Sequence, residues 1–300
     1  MVELETVSLR DQSSDLTATF VPVAGMIGTS LSDGATELLG QRRGLAAYVT
    51  DGKTLGIPIL YPWANRLSAN GYEVDGAVVS LTPGKGGVRT DPHGAPMHGV
   101  LGAHPGWLVT ARSDNSLTAV LDFGGLPRLL ASFPFPHLLF QTVTLADRTL
   151  TIETTVMPTT SARVPLCFGY HPYLTIPGVP REQWVLTTPA MRHLPVDDRG
   201  IPTGTHSSWE AATSALGSTQ YDDGFDQVSD GAVFTLAGGD RRIDVVFEKG
   251  YPAAQLFAPP DDAVIGIEPM SAPTDALRRG GFRYAVPGEP ATARFSIRVG

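Results

Sequence analysis

Apolar and polar residues alternate along much of the chain. Near the C-terminus, TARFSIRV puts Ala293, Phe295, Ile297 and Val299 on one face and Thr292, Arg294, Ser296 and Arg298 on the other. A period of two is that of a half-buried β-strand, whose side chains point alternately to opposite faces of a sheet. LLFQTVTL and TLTIETTV are two such runs joined by Ala146, Asp147 and Arg148, which predicts a hairpin. VFTLAGGDRRIDVVFE predicts a second, with Gly238, Gly239 and Asp240 at its tip. SLTAVLDF and QLFAPP add short strands. Helical signals are sparse and short: RRGLAAYV near residue 45 and SSWEAATSALG near residue 212. The 33 glycines and 25 prolines are spread through the chain, which suits many short strands and turns and is incompatible with long helices. The expected fold class is all-β: one large antiparallel β-sandwich domain over residues 1–300, with a few short helices.

Composition narrows the function. Hydrophobic residues make up 42% and charged residues 17%, the balance of a soluble protein with a substantial core. The formal net charge of −8 argues against a nucleic-acid partner. It does not exclude a negatively charged substrate, because a few arginines in a cleft can override the net charge. The single cysteine, Cys167, rules out an intrachain disulfide and a cysteine-based structural zinc site, and its apolar setting, VPLCF, reads as a small buried hydrophobe. No basic-then-apolar N-terminal pattern and no run of eighteen apolar residues occurs, so the expectation is a cytoplasmic protein with no membrane partner.

Four segments interrupt the strand rhythm with polar residues among Gly, Pro and aromatics. In IPILYPWANRLSANGYEVDG, Asn65 and Arg66 follow a Tyr-Pro-Trp cluster. An arginine there is either a surface ion pair or a fixed fork for ligand oxygens. PHGAPMHGVLG carries His93 and His98, the latter beside a glycine that either permits close backbone approach or only serves a turn. In VPLCFGYHPYLTIPG, His171 sits between Tyr170 and Tyr173. A core histidine is the default reading, but the aromatic setting suits a sugar face, and imidazole exchanges a proton near neutrality. In AVIGIEPMSAPTDAL, the apolar run Val264 to Ile267 ends in Glu268. A carboxylate ending a buried run must be paired or face a cavity, so Glu268 is a general-base candidate beside the plain ion-pair reading. His104, His137, His193 and His206 read as background, and no metal-ligand cluster, phosphate-cradling loop or esterase elbow is present.

Taken in order, PILYPWANRL, MHG, FGYHPYL, YDDGFDQV and GIEPMSAPTDAL resemble motifs of the aldose 1-epimerase (galactose mutarotase) family, over about residues 57 to 277. The resemblance implies a β-supersandwich with an open cleft, a monosaccharide substrate, and no cofactor or metal. It implies Glu268 as general base and His171 as general acid. Arg66, His98 and Asn65 would hold the substrate, and Asp222 or Asp223 would bind sugar hydroxyls, with Phe225 favouring Asp222. Mutarotation takes a proton from the anomeric hydroxyl and gives one to the ring oxygen, so it needs one base and one acid, expected on opposite sides of the sugar.

The reading that follows is a mutarotase acting on a free hexose such as glucose or galactose, as a monomer or homodimer. A hexose-6-phosphate 1-epimerase is the nearest alternative and would need an Arg/Lys cluster, for which Arg42, Arg43 and Arg89 are scattered candidates in sequence. A non-catalytic carbohydrate-binding protein on the same fold, and a glycoside hydrolase pairing Glu268 with Asp222, are the others.

Overall fold

The alternating runs assemble into two large sheets. In the computed structural model, which describes residues 4–300, the larger sheet has nine strands. Their order is Ala212–Ala215, Val185–Thr188, Ala232–Gly238, Arg241–Lys249, Ala291–Val299, Thr149–Pro158, His137–Ala146, Ser116–Asp122 and Leu108–Arg112. All these neighbours pair antiparallel. Both expected hairpins form. Ala146 pairs with Thr149, so the first turn is the two residues Asp147 and Arg148, at φ 50° and 56°. Their backbone N–H groups donate to the Asp11 carboxylate, at 3.2 and 2.8 Å. Gly238 pairs with Arg241, so the second tip is only Gly239 and Asp240.

The second sheet runs Ser207–Trp209, Met191–Leu194, Tyr221–Asp226, Ala253–Ala258, Ile265–Met270, Gly169–Tyr170 and Ile59–Leu60. Tyr173–Leu174 is a further partner of Ile265–Met270. One face of this sheet packs on the nine-stranded one. The Tyr170 hydroxyl lies 2.6 Å from Thr154 Oγ1, and its ring packs on Phe295 at 5.1 Å. A continuous apolar cluster from Val7 to Val299 fills the interior, and each large side chain fully buried there contributes about 1.5–3 kcal/mol. A third sheet, Val7–Arg10, Leu16–Val21, Ile27–Asp33 and Thr36–Glu37, adds to the same core.

The short helix expected near residue 45 is Gly44–Asp51. The one expected near residue 212 is absent: Ser207–Trp209 pairs with Met191–Leu194, and Ala212–Ala215 pairs with Val185–Thr188. Ala and Glu there do favour a helix, but a helix would have had little except Trp209 and Leu216 to bury, so strand pairing prevails. No helix among the described residues is long and apolar enough to cross a membrane.

Candidate active site

Sheet register brings the singled-out residues together. Gly169 pairs with Met270 and Tyr173 with Gly266, both on the Ile265–Met270 strand. The same antiparallel register sets His171 opposite Glu268. Pro172, which has no N–H, interrupts the ladder there. On the other side of that strand Gln255 pairs with Glu268, and Gly224 pairs with Gln255. One row across the sheet therefore reads Gly224, Gln255, Glu268, His171. Because side chains alternate, Tyr170 and Ile267 enter the core while His171 and Glu268 point to the other face. The adjoining row carries Asp222, Phe257, Gly266 and Tyr173.

His171 Nε2 and Glu268 Oε1 stand 3.0 Å apart, with 6% and 2% of the side chains exposed. The His171 ring stacks on Tyr173 with centroids 4.0 Å apart, meets Phe257 edge-on at 5.4 Å, and meets the His98 ring edge-on at 6.0 Å. Gly266 leaves room for it: a Cβ at that position would lie 2.9 Å from His171 Cε1. The Tyr173 hydroxyl is fixed 2.6 Å from Thr54 Oγ1, and the Arg42 guanidinium lies 4.8 Å over the Tyr173 ring.

The motif segment 61–66 delivers the other groups. Asn65 (φ 55°) and His98 (φ 60°) both hold left-handed backbone, and the Asn65 carbonyl accepts the His98 N–H at 2.9 Å. Gly99 is required beside His98, because a Cβ there would stand 2.0 Å from the Tyr61 carbonyl oxygen. Arg66 Nε donates to Asp91 Oδ2 at 3.0 Å, and its Nη2 reaches Asp222 Oδ2 at 3.4 Å. Gln255 Nε2 donates to the other Asp222 oxygen at 2.8 Å. A cleft of about 260 Å³ is lined by His98, Arg66 and Pro58, and the Pro58 carbonyl accepts the His171 N–H at 3.1 Å. Its walls do not include His171 or Glu268; His98, which lines it, meets the His171 ring at 6.0 Å.

Burial shapes the electrostatics. Desolvation raises Glu268 well above its ordinary carboxylate value, with the Asp222 charge adding to the effect. Desolvation also lowers His171 to about 3, helped by the Arg42 charge, and holds His98 well below its usual value. Burial thus favours the uncharged form of both groups, and their 3.0 Å contact offers a direct route for a proton between the two. Four polar atoms here are buried without a partner: Glu268 Oε2, His171 Nδ1, His98 Nδ1 and Asn65 Nδ2. Each unmet group costs about 1–3 kcal/mol, a cost that a ligand rich in hydroxyl groups would offset.

Of the six residues singled out, Glu268, His171, His98, Asn65, Arg66 and Asp222 all converge on this region. Asp222 lies on the sheet face of Gln255 and Glu268, bonded by Arg66 and Gln255, whereas Asp223 points to the opposite face, 2.8 Å from His193. His193 thus has a carboxylate partner, away from the Glu268–His171 face. His137 has partners of its own: its ring nitrogens lie 2.6 Å from the Tyr61 hydroxyl and 2.6 Å from the Phe135 carbonyl, in the core. The acid and base expected on opposite sides of a sugar stand side by side, because their positions face each other across one strand pair. Gln255 was missed. Its signal was a lone polar residue inside the apolar strand Ala253–Ala258, the same signal that marked Glu268.

The sequence profile of the family described as aldose 1-epimerase matches residues 7–298. The Escherichia coli K12 protein YihR, itself uncharacterized, is 24% identical over 232 residues, covering 74% of this chain and 71% of its own. Among solved structures, the Slr1438 protein of Synechocystis sp. PCC 6803 matches at TM-score 0.80 and 24% identity, over 99% of this chain and 96% of that one. A galactose mutarotase-like protein of Clostridium acetobutylicum matches at 0.80 and 16%, and a galactose 1-epimerase of Lactobacillus acidophilus NCFM at 0.73 and 15%, each over 99% of both chains.

Proposed function

The chain belongs to the aldose 1-epimerase family, and from that premise we propose that it interconverts the α and β anomers of an aldohexose, with Glu268 as base and His171 as acid. The observation that carries this reading is the buried Glu268–His171 pair at 3.0 Å, ringed by unpartnered polar atoms of His98 and Asn65. The anomeric oxygen and the ring oxygen are both bonded to C1, so two adjacent groups can serve both.

In the reactive form the shared proton sits on His171. Glu268 takes the proton of the C1 hydroxyl as His171 gives its proton to the ring oxygen. The C1–O5 bond breaks, its electron pair stays on the ring oxygen, and C1 becomes an aldehyde. Rotation about C1–C2 presents the other carbonyl face, and reversal of the two transfers closes the ring. Both groups end as they began. Arg66, His98, Asn65 and Asp222, braced by Gln255, hold the sugar hydroxyls meanwhile. Positioned acid and base groups each contribute about 10²–10⁴-fold, and holding the ring adds an orientation effect.

The YPWANR motif resembles that of the free-sugar type, so glucose and galactose are the first substrates to test. The anomeric chemistry is unchanged if the hexose carries a further group away from C1. The test is anomer exchange, followed by polarimetry or NMR on freshly dissolved α-glucose and α-galactose. Catalysed exchange is expected; exchange at the spontaneous rate with every aldose offered would overturn the reading.

A further inference from the structure

The cleft that reaches His98 and Arg66 has a strongly cationic composition. Its walls carry Arg42, Arg43, Lys53, Arg66 and Arg89 against two carboxylates, Asp51 and Asp91, in a chain of net charge −8. The arginines dispersed in sequence are thus gathered in one place. Asp91 is already engaged by Arg66 and by the backbone N–H groups of His93 and Ala95. Arg42 pairs with Asp262 at 3.1 Å. Arg43, Lys53 and Arg89 have no ion-pair partner among the described residues.

Arg89 is the informative member, because it is partly buried rather than waving in solvent. Its Nη2 reaches only the Tyr48 and Gly102 carbonyl oxygens, at long distances of 3.5 and 3.4 Å, and the guanidinium lies 5.9 Å from the Tyr48 ring centre. Space for it is left by two glycines: a Cβ at Gly52 would stand 2.6 Å from its Nη1, and one at Gly102 would stand 2.9 Å away. A partly desolvated guanidinium without a carboxylate is costly, and burial lowers its pKa accordingly. Its planar fork suits two oxygens of one oxyanion. Arg89 and His98 line the same cleft of about 260 Å³, and the His98 ring meets His171 at 6.0 Å, so one small ligand can lie against both.

We propose that this end of the cleft binds an anionic substituent of the sugar, an oxyanion such as phosphate, sulfonate or carboxylate carried away from C1. Arg89 contacts it from below, and Arg43 and Lys53 hold it from the solvent side. The inference rests on the epimerase reading for the ring chemistry and adds the class of hexose.

The experiment measures NMR anomer exchange on the intact protein with glucose, galactose, glucose 6-phosphate and glucuronate at one ionic strength. The expected result is a kcat/KM for at least one anionic sugar about tenfold or more above glucose, mostly through KM. In Arg89→Gln, and separately in the doubly substituted Arg43→Gln/Lys53→Gln protein, that preference should fall about tenfold. The second variant alters only exposed side chains, so it tests the site even if the first folds poorly. Equal turnover of neutral and anionic sugars, or a preference that survives both variants, would overturn the proposal while leaving the epimerase reading intact. Exchange on none of the four sugars would overturn both. Inorganic phosphate should compete with the anionic sugar; if instead it accelerates exchange of glucose, the site serves a free ion and the substituent claim fails.

Discussion

Replacing Gly266 by alanine displaces His171, the proposed acid, without substituting either it or Glu268. Gly266 lies on the Ile265–Met270 strand with no left-handed backbone, so alanine fits the chain there. The new Cβ would stand 2.9 Å from His171 Cε1, 3.2 Å from its Nδ1 and 3.2 Å from Phe257 Cβ. Restoring an ordinary contact of 3.4 Å requires the ring to move by about 0.5 Å. Tyr173 is stacked 4.0 Å from that ring and tied to Thr54, so the displacement passes into the Glu268 contact. A misplacement of about 1 Å costs roughly 10²-fold in such a site, so about a tenfold fall in kcat is expected. Overpacking costs about 1–3 kcal/mol, offset by about 0.4–1 kcal/mol because alanine restricts the unfolded chain. A net loss of about 0–2.6 kcal/mol should therefore accompany the fall in activity. The assay pairs polarimetric kcat with a thermal melt. A G266A protein with wild-type kcat and an unchanged melt would refute the claim that His171 acts from this position.

Three further outcomes follow from the same geometry. Glu268→Gln removes a carboxyl whose pKa burial raises, so wild-type stability falls as pH rises above 4.5 toward that raised value, and the variant escapes this loss. Its Tm should exceed that of the wild type at pH 8 by about 2–4 °C per kcal/mol gained, with the gap closing below pH 4.5, as thermal melts across pH will read. His171 works in the opposite sense: its pKa is lowered to about 3, so its contribution to stability is lost as pH falls from 6.5 toward that value, and His171→Gln should flatten the acid limb of the same melts. Arg66→Met unties Asp91 and Asp222 together, and should raise KM about 10- to 100-fold in initial-rate assays while costing about 1–3 kcal/mol in denaturant unfolding, because buried Asp91 keeps only its backbone donors.

Strand periodicity made the sandwich legible, since residues 137–146 and 149–157 each alternate inside and outside without a break. The 212 segment was misread because nothing local distinguishes an Ala/Ser-rich edge strand from a weak helix. Glu268 was visible as a charge ending an apolar run, and the same rule would have found Gln255. What local sequence could not supply was register. That His171 faces Glu268, that Asp222 rather than Asp223 meets Arg66 and Gln255, and that Arg43 and Arg89 share a cavity all depend on pairings between distant segments.

The most direct measurement is the anomer exchange rate of Glu268→Gln with a sugar that the wild type turns over, alongside binding of that sugar by calorimetry. The account predicts that exchange falls by about 10²–10⁴-fold while affinity stays within a few-fold, because the amide keeps the shape and cannot take the proton. A Glu268→Gln protein that exchanges anomers at the wild-type rate would contradict it.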